Sequence, residues 1–191
     1  MAVRPATLED ALSVAEVHVR SWQEAYPGQV PQWFLDGLSV ENRHQAWTEM
    51  IGSPIANTGV LILEDQGMLV GFVGFGPSRD SDASPETGEI GSIYLRASAW
   101  GRGGGRLLMD NALDILRGSG FNSATLWVLD TNIRARHFYE AGGWVTDGTE
   151  VVDDRRVFRF ERCVTDGRCE SRRVSYRGGL IATLGAPDGL W

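Results

Sequence analysis

Residues 100–108, Trp-Gly-Arg-Gly-Gly-Gly-Arg-Leu-Leu, place a glycine-dense turn between an apolar strand and an apolar helix. The strand is predicted at residues 89–95, which are rich in β-branched and aromatic side chains. The helix is predicted because apolar residues recur at helical spacing from Leu107 to Leu116. Glycine lets the backbone approach a ligand closely, and the first amides of a helix have no partner within it. The turn is therefore predicted to bind an anion such as phosphate.

The residues around this turn argue against two common nucleotide-binding classes. A Walker-type phosphate loop needs a lysine after its last glycine, but Arg106 follows Gly105 and the sequence contains no lysine. A dinucleotide-binding fold carries its glycine turn in the first β-α unit and an acidic residue at the end of the next strand. Here the turn lies past the middle of the chain, and the next strand ends in Leu126-Trp127-Val128.

The rest of the chain supplies the elements that must hold this turn in place. Hydrophobic periodicity and turn residues predict strands and helices in the order β, α, α, β, β, β, α, β, α, β, β. A hairpin is expected around Gln66-Gly67, and a mobile polar loop is expected over residues 76–88. The fold class is predicted to be α/β, a single domain with a mixed, mostly antiparallel sheet and helices on both faces.

Length and composition limit the function classes further. The 191 residues suit one domain, predicted at 1–164, followed by an extension at 165–191 that is either flexible or an extra strand packed on a neighbour, so a homodimer is one expectation. The net charge of −7 argues against nucleic-acid binding, and no apolar run is long enough to span a membrane. The three histidines form no ligand spacing, so no metal is expected. We expect a cytoplasmic protein whose Cys163 and Cys169 are thiols.

Three segments together resemble the GNAT superfamily of acyl-CoA-dependent N-acetyltransferases: the strand at 89–95, the turn at 100–105 and the block at 132–144. The signature of that family is Gln/Arg-x-x-Gly-x-Gly/Ala. Gly103 and Gly105 occupy its two glycine positions, but Trp100 stands in the Gln/Arg position. The resemblance covers about residues 2–164 and implies acetyl-CoA as co-substrate. It also implies the family fold.

The resemblance implies a role for each matching residue. The backbone amides of the turn would hold the pyrophosphate of CoA, the end of the strand would pair with the pantetheine arm, and the Leu95 amide would polarise the thioester carbonyl. Asn132 matches a position that binds the cofactor arm, although it also fits a helix N-cap. Tyr139 matches the general acid that protonates the departing thiolate. The cofactor-binding set is Ile93, Tyr94, Leu95, Arg102, Gly103, Gly104, Gly105, Arg106, Asn132 and Tyr139.

Glu89 is the candidate general base. It stands eleven residues before Trp100, the spacing at which histone acetyltransferases of this superfamily carry a catalytic glutamate. A carboxylate can accept, through water, the proton that an ammonium ion must lose before it attacks. Strict alternation along the strand would put Glu89, Gly91, Ile93 and Leu95 on one face.

The acceptor is expected to be a primary amine of a small molecule, acetylated by direct attack in a ternary complex. Its pocket would lie between the first two helices and the polar loop, with aromatic walls from Trp22, Tyr26, Trp33 and Phe34. Acidic residues of the loop could attract a cationic amine: Asp80, Asp82 and Glu86. Two alternatives stay open, a catalytically silent acyl-CoA-binding or sensor module and a protein or peptide N-acetyltransferase.

Overall fold

The computed structural model describes residues 1–152 and 156–165, so the extension predicted at 165–191 lies almost wholly outside the described residues. The strands are Ala2–Pro5 (β1), Gly59–Asp65 (β2), Met68–Pro77 (β3), Thr87–Leu95 (β4), Ser123–Leu129 (β5), Val145–Val152 (β6) and Arg156–Cys163 (β7). The helices are Ala11–Ala25 (α1), Gln32–Asp36 (α2), Val40–Gly52 (α3), Gly104–Gly118 (α4) and Ile133–Ala141 (α5). This order agrees with the prediction except that the second predicted helical region forms two helices, α2 and α3, which are separated at residues 37–39.

The strands form one seven-stranded sheet in the order β1-β2-β3-β4-β5-β7-β6. All neighbouring strands are antiparallel except β4 and β5, which are parallel. Helix α4 covers one face, where its Leu108 and Leu116 are fully buried with β-strand residues such as Val73. Helices α1 and α3 cover the other face, where Phe72 is fully buried. The predicted fold class, a mixed and mostly antiparallel sheet with helices on both faces, is confirmed.

The β2–β3 hairpin forms at the predicted turn. Gln66 and Gly67 both have positive φ angles, 52° and 77°. Two successive left-handed residues make the tight turn that suits the twist of paired strands. The hairpin pairs β2 with β3, and β3 pairs through its other edge with β4, the strand that carries Glu89.

Strand β4 separates from β5 soon after the two begin to pair. Only Thr87, Gly88 and Glu89 are registered against β5, opposite residues 123–125. Beyond that point β4 continues to pair with β3 on its other side, and β5 continues to pair with β7. The two strands therefore part inside the sheet, which leaves one edge of β4 from Ile90 onward without a strand partner.

A β-bulge at Gly91 changes which residues of β4 share a face. Ile90 lies opposite Phe75 and Ser92 lies opposite Gly74, so Gly91 is an extra residue on β4. An extra residue reverses the alternation of side chains beyond it. The expectation that Glu89, Gly91, Ile93 and Leu95 share one face is wrong.

The observed faces are consistent with the two cores. Ile90, Ile93 and Leu95 face α4. Tyr94 packs with the core under α1, and the register places Glu89 and Ser92 on that same side. The bulge therefore puts the carboxylate of Glu89 on the opposite face from the side chain of Leu95.

Residues 78–86, which connect β3 to β4, are tied to other elements by three acidic side chains. Asp80 accepts a hydrogen bond from Trp127 Nε1 (2.9 Å), and Asp82 accepts two from Arg159 (2.6 and 2.8 Å). Glu86 accepts a hydrogen bond from Asn122. The sequence predicted a mobile surface loop here because the segment is polar. Its local composition does not reveal these hydrogen-bond partners, which lie far away in the sequence.

Two further expectations can be compared with the described residues. Cys163 is disulfide-bonded, so the expectation that both cysteines are thiols is wrong. Within the described part of the chain, no helix is long and apolar enough to cross a membrane.

Candidate active site

A cavity of about 520 Å³ occupies the place where β4 and β5 part. Its walls come from the end of α1, the whole of β4 beyond Glu89, the glycine turn, the end of β5 and the first turns of α5. Most of the predicted cofactor-binding and catalytic residues line it: Glu89, Ile93, Tyr94, Leu95, Gly103, Gly105, Arg106, Asn132 and Tyr139. Of the predicted aromatic walls only Tyr26 lines it. The structure thus brings residues from five separate segments to one cavity.

The free edge of β4 offers backbone groups to this cavity. Arg96 N donates to Val70 O on β3 at 2.9 Å. Backbone groups of successive residues point alternately to the two sides of an antiparallel strand. Tyr94 therefore directs its amide and carbonyl to β3, while Ile93 and Leu95 direct theirs away from β3. Of the three residues predicted to pair with the pantetheine arm, Ile93 directs its amide and carbonyl, and Leu95 its amide, to the edge of β4 that has no strand partner, whereas the Leu95 carbonyl accepts from Trp100 Nε1 and Tyr94 pairs with β3.

The glycine turn prepares the start of α4. Gly103 is the N-cap and has a φ of 84°, a left-handed conformation that favours glycine, and a Cβ there would meet only open space. The amides that follow Gly103 begin the helix and have no acceptor within it. Gly105 and Arg106 line the cavity, so these donors lie beside it.

Two predicted turn residues have other partners. Arg102 forms an ion pair with Asp65 (2.8 Å) and does not line the cavity. Gly104 is buried against β2, where a Cβ would lie 2.5 Å from Leu63 Cδ2. Gly104 is therefore required for close packing of the helix on the sheet.

Trp100, which stands in the position of the family's Gln or Arg, still anchors the turn. Its Nε1 donates a hydrogen bond to the carbonyl of Leu95 (2.9 Å). The guanidinium of Arg134 lies over its ring, with Cζ 3.3 Å from the ring centroid. Burial lowers the pKa of Arg134, but an arginine remains charged at neutral pH. Arg134 lines the cavity and was missed by sequence analysis, because exposed arginines in a helix carry no distinguishing pattern.

Asn132 serves two purposes at once. Its Oδ1 accepts a hydrogen bond from the amide of Ala135 (3.1 Å), so it is the N-cap of α5. Its Nδ2 lies 3.5 Å from the hydroxyl of Tyr26, the C-cap residue of α1. Both of the functions that the sequence left open are therefore compatible with its position at the cavity wall.

Tyr139 lies in α5 and packs against Phe138, Trp144 and Phe160 in the core under α4. It also lines the cavity. Burial raises the pKa of its phenol, because the charged form loses its hydration. The hydroxyl is therefore protonated at neutral pH.

Glu89 is 4% exposed, and Arg79 holds its carboxylate through three hydrogen bonds. Its Oε2 accepts from the Arg79 amide (3.0 Å) and from Nε (3.1 Å), and its Oε1 accepts from Nη2. A carboxylate has about four lone-pair positions, so three bonds leave room for one further donor such as water.

Asp80 is a second carboxylate at the cavity, where it lies beside Trp127. Arg159 joins it to two further carboxylates through contacts of 3.4 Å to Asp80, 2.6 Å to Asp82 and 2.5 Å to Asp147. Burial of Arg159 acts to lower its pKa, but the hydrogen bonds to Asp82 and Asp147 outweigh this and raise it. Sequence analysis suggested Asp80 and Asp82 as attractants for an amine, but it missed the arginine that positions them.

The remaining aromatic residues predicted for the acceptor pocket lie elsewhere. Trp22 is buried between α1 and its neighbours, where Phe34 packs on it with ring centroids 5.8 Å apart. Trp33 is 75% exposed. None of the three lines the cavity, because α1 turns its Ser21 and Ala25 toward β4 instead.

The charges divide the cavity into two ends. The end at the glycine turn carries Arg106, Arg134 and the positive end of the α4 dipole. The other end carries Asp80 and Glu89. An elongated anionic ligand and a cationic one therefore find opposite ends of the same cavity.

Comparison with known proteins agrees with this geometry. The model of the acetyltransferase (GNAT) family matches residues 19–144, which contain β4, the glycine turn and α5. The chain belongs to the GNAT family. It is an acetyl-CoA-dependent acyltransferase, and relatives of similar sequence are named N-acetyltransferases or acetyltransferases.

Three GNAT proteins illustrate the likeness. The uncharacterized N-acetyltransferase YuaI of Bacillus subtilis (strain 168) is 33% identical over 133 residues, which are 69% of this chain and 73% of that protein. The L-amino acid N-acyltransferase MnaT of Escherichia coli (strain K12) is 27% identical over 145 residues, 76% of this chain and 80% of that protein. The crystal structure of PaiA N-acetyltransferase from Thermoplasma acidophilum, in complex with coenzyme A, has a TM-score of 0.69 and 18% identity, and the match covers 85% of this chain and 98% of that chain.

His18 makes this GNAT domain sensitive to acid. It is buried, its ring stacks on Tyr94 at 5.0 Å between centroids, and its Nδ1 accepts from Trp47 Nε1 (3.2 Å). Burial lowers the pKa of His18 from 6.5 to about 3. Below about pH 6.5 the imidazole of His18 binds a proton in the unfolded chain, whereas in the folded protein it does so only near pH 3. The contribution of neutral His18 to the free energy of unfolding is therefore complete above pH 6.5 and is lost progressively toward pH 3.

We therefore expect the free energy of unfolding, measured with urea, to fall between about pH 7 and about pH 5. The fall should be roughly 2 kcal/mol larger in the native protein than in a His18→Gln variant. The glutamine keeps an acceptor for Trp47 but does not titrate. His137→Gln, at an exposed position of α5, is the matched control and should retain the native pH dependence. Equal pH dependence in the native protein and His18→Gln would contradict the assignment.

Proposed function

We propose that this enzyme transfers an acetyl group from acetyl-CoA to a primary amine of a small molecule, by direct attack within a ternary complex. The observation that carries the proposal is the parting of β4 from β5. It opens a cavity that has an anion-binding turn at one end, a free strand edge along its wall and carboxylates at the other end. The name of the Escherichia coli relative, an L-amino acid N-acyltransferase, also favours a small acceptor.

The residues of the turn suit a pyrophosphate. The backbone amides of residues 102–106 would donate to its oxygens, with Gly103 in the left-handed conformation that turns them inward. Arg106 adds a cation at the cavity wall. The proposed contribution of Arg102 and Gly104 is limited to their amides, since the side chain of Arg102 pairs with Asp65.

The free edge of β4 suits an amide-bearing arm such as pantetheine. The amide and carbonyl of Ile93 and the amide of Leu95 lie on the edge of β4 that has no strand partner, and such an edge accepts an extended ligand as it would accept another strand. Asn132 and Tyr139 face the same channel from α5. Bound acetyl-CoA supplies a thioester, which is an activated acyl donor.

Three groups of the chain would then carry the transfer. An amide of the free edge of β4 would donate to the thioester oxygen and stabilise the negative charge that develops on it; Ile93, four residues from Glu89, is better placed for this than Leu95, six residues away at the glycine-turn end. Glu89 accepts the proton of the ammonium through a water, which leaves the amine nucleophilic. Tyr139 gives its proton to the departing sulfur. The acceptor would enter on the α1 side of β4, past Tyr26 and Asp80, where the negative charge attracts a cation.

Gly103→Glu is expected to weaken CoA binding about tenfold or more, because the new side chain would fill the anion site with a like charge. Isothermal calorimetry with CoA measures this directly. Gly120→Glu is the matched control, since Gly120 has a similar φ of 92° and open surroundings at the far end of α4. If folded Gly103→Glu bound CoA as the native enzyme does, the turn would not be the pyrophosphate site.

Tyr139→Phe is expected to lower kcat on the order of 10²-fold while the KM for acetyl-CoA changes little. The ring stays packed against Trp144 and Phe160, and only the proton donor is removed. Steady-state rates with a thiol-detecting reagent provide the measurement. An unchanged kcat under conditions where chemistry limits the rate would leave Tyr139 as a core residue.

Glu89→Gln is expected to lower kcat by about 10²- to 10⁴-fold without changing CoA affinity, and to flatten the acidic limb of the pH–rate profile. Glu86→Gln is the control, because Glu86 lies in the same segment but bonds to Asn122 outside the cavity. A native rate and profile in Glu89→Gln would exclude this residue as the base. Asp80→Asn would then be the variant to compare.

A further inference from the structure

Two buried serines at the acceptor end of the cavity have hydroxyls without a hydrogen-bond partner. Ser21 in α1 is 2% exposed, and Ser92 in β4 is 9% exposed. Neither Oγ has a partner within the described part of the chain. Other serines near this region, such as Ser78 and Ser123, do form side-chain hydrogen bonds. Burying an unpaired hydroxyl is unfavourable for folding, so a ligand that hydrogen-bonds to these two serines would remove that cost.

Both serines belong to the wall of the cavity, and they approach it from different elements. The bulge at Gly91 puts Ser92 on the α1 face of β4, between Glu89 and Tyr94 on that face. Ser21 lies one turn before Ala25 on the side of α1 that lines the cavity. A molecule that enters beside Glu89 therefore meets one hydroxyl from the sheet and one from the helix.

The surrounding charges indicate what these hydroxyls would bind. Among the described residues, the acceptor end carries four carboxylates, Asp80, Asp82, Glu89 and Asp147, and two guanidiniums. Arg79 is engaged by Glu89, and Arg159 is engaged by the three aspartates. An acceptor carboxylate would meet a net negative surface with both cations already paired. A neutral hydroxyl, in contrast, can donate to or accept from each serine.

We propose that Ser21 and Ser92 form an acceptor subsite that binds a hydroxyl group close to the reacting amine, so that the preferred acceptor is an amino alcohol rather than an amino acid or a plain alkylamine. This inference rests on the proposed acetyl transfer to a small amine and specifies its substrate class. The hydroxyl of the acceptor completes the hydrogen bonds that the two serines lack. An amine without it leaves them unpaired, and such a loss is a strong source of discrimination.

The test compares three acceptors that share the same amine-bearing carbon: alaninol with a hydroxymethyl group, 2-aminopropane with a methyl group and alanine with a carboxylate. Native enzyme should give the highest kcat/KM with alaninol. Ser21→Ala and Ser92→Ala should each lower the ratio of kcat/KM for alaninol to that for 2-aminopropane by roughly two- to tenfold, the size expected for one neutral hydrogen bond. The KM for acetyl-CoA should stay constant.

Stability and a control variant separate binding from structure. Both alanine variants should melt at the native temperature or above it, because a buried unpaired hydroxyl is removed. Ser13→Ala, at an exposed position of α1, should leave the alaninol preference at its native value.

Three outcomes would overturn the subsite: equal kcat/KM for alaninol and 2-aminopropane, a preference for alanine, or an alaninol preference that survives both serine substitutions. The proposed function would stand in each of these cases, since an amine is still acetylated. If CoA binds by calorimetry but none of the three amines releases thiol from acetyl-CoA, the proposed function fails and the subsite fails with it.

Discussion

Pairing between β4 and β5 stops at Glu89, and the other parts of the site take their positions from that break. A continuous parallel pair would use the backbone groups of Ile93 and Leu95 within the sheet. Because β5 diverges from β4 after Thr125, while β7 remains paired with its other edge, the backbone of Ile93 and the amide of Leu95 face a cavity. The glycine turn and α4 follow directly from the free end of β4, so the proposed anion site lies at one end of the same cavity. The carboxylates lie where the two strands still touch, at its opposite end.

The bulge at Gly91 decides how the two substrates share this channel. Without the extra residue, Glu89 and Leu95 would present their side chains to the same face. With it, Ile93 and Leu95 pack toward α4 while Glu89, Ser92 and Tyr94 turn toward α1. One strand thus serves the proposed cofactor through its backbone and the proposed acceptor through its side chains. The cost is a locally disturbed ladder, which is the usual consequence of a bulge.

Local signals account for what sequence analysis predicted correctly. Gln66-Gly67 set a hairpin, and the glycine turn together with the apolar spacing after it set α4, because these features act over a few residues. What it missed depends on contacts between distant segments. The sequence of β4 does not indicate that Gly91 is an extra residue in the strand pairing. The residues around Asp80 do not indicate its contact with Arg159, which lies 79 residues away in the sequence. Trp22 and Phe34 resembled pocket walls because a buried aromatic pair has the same composition in a core as in a binding site.

One peptide unit at the end of β4 is fixed from both sides. The carbonyl of Leu95 accepts from the indole of Trp100, and the amide of the same unit, Arg96 N, donates to Val70 of β3. Hydrogen bonds at the two ends of one peptide group polarise each other. The last residue of the strand therefore has little freedom to fray, although its neighbour β5 has left it. The conformational entropy of ordering this edge is lost when the chain folds, not when a ligand arrives, so the edge is preorganised for the ligand that completes the sheet.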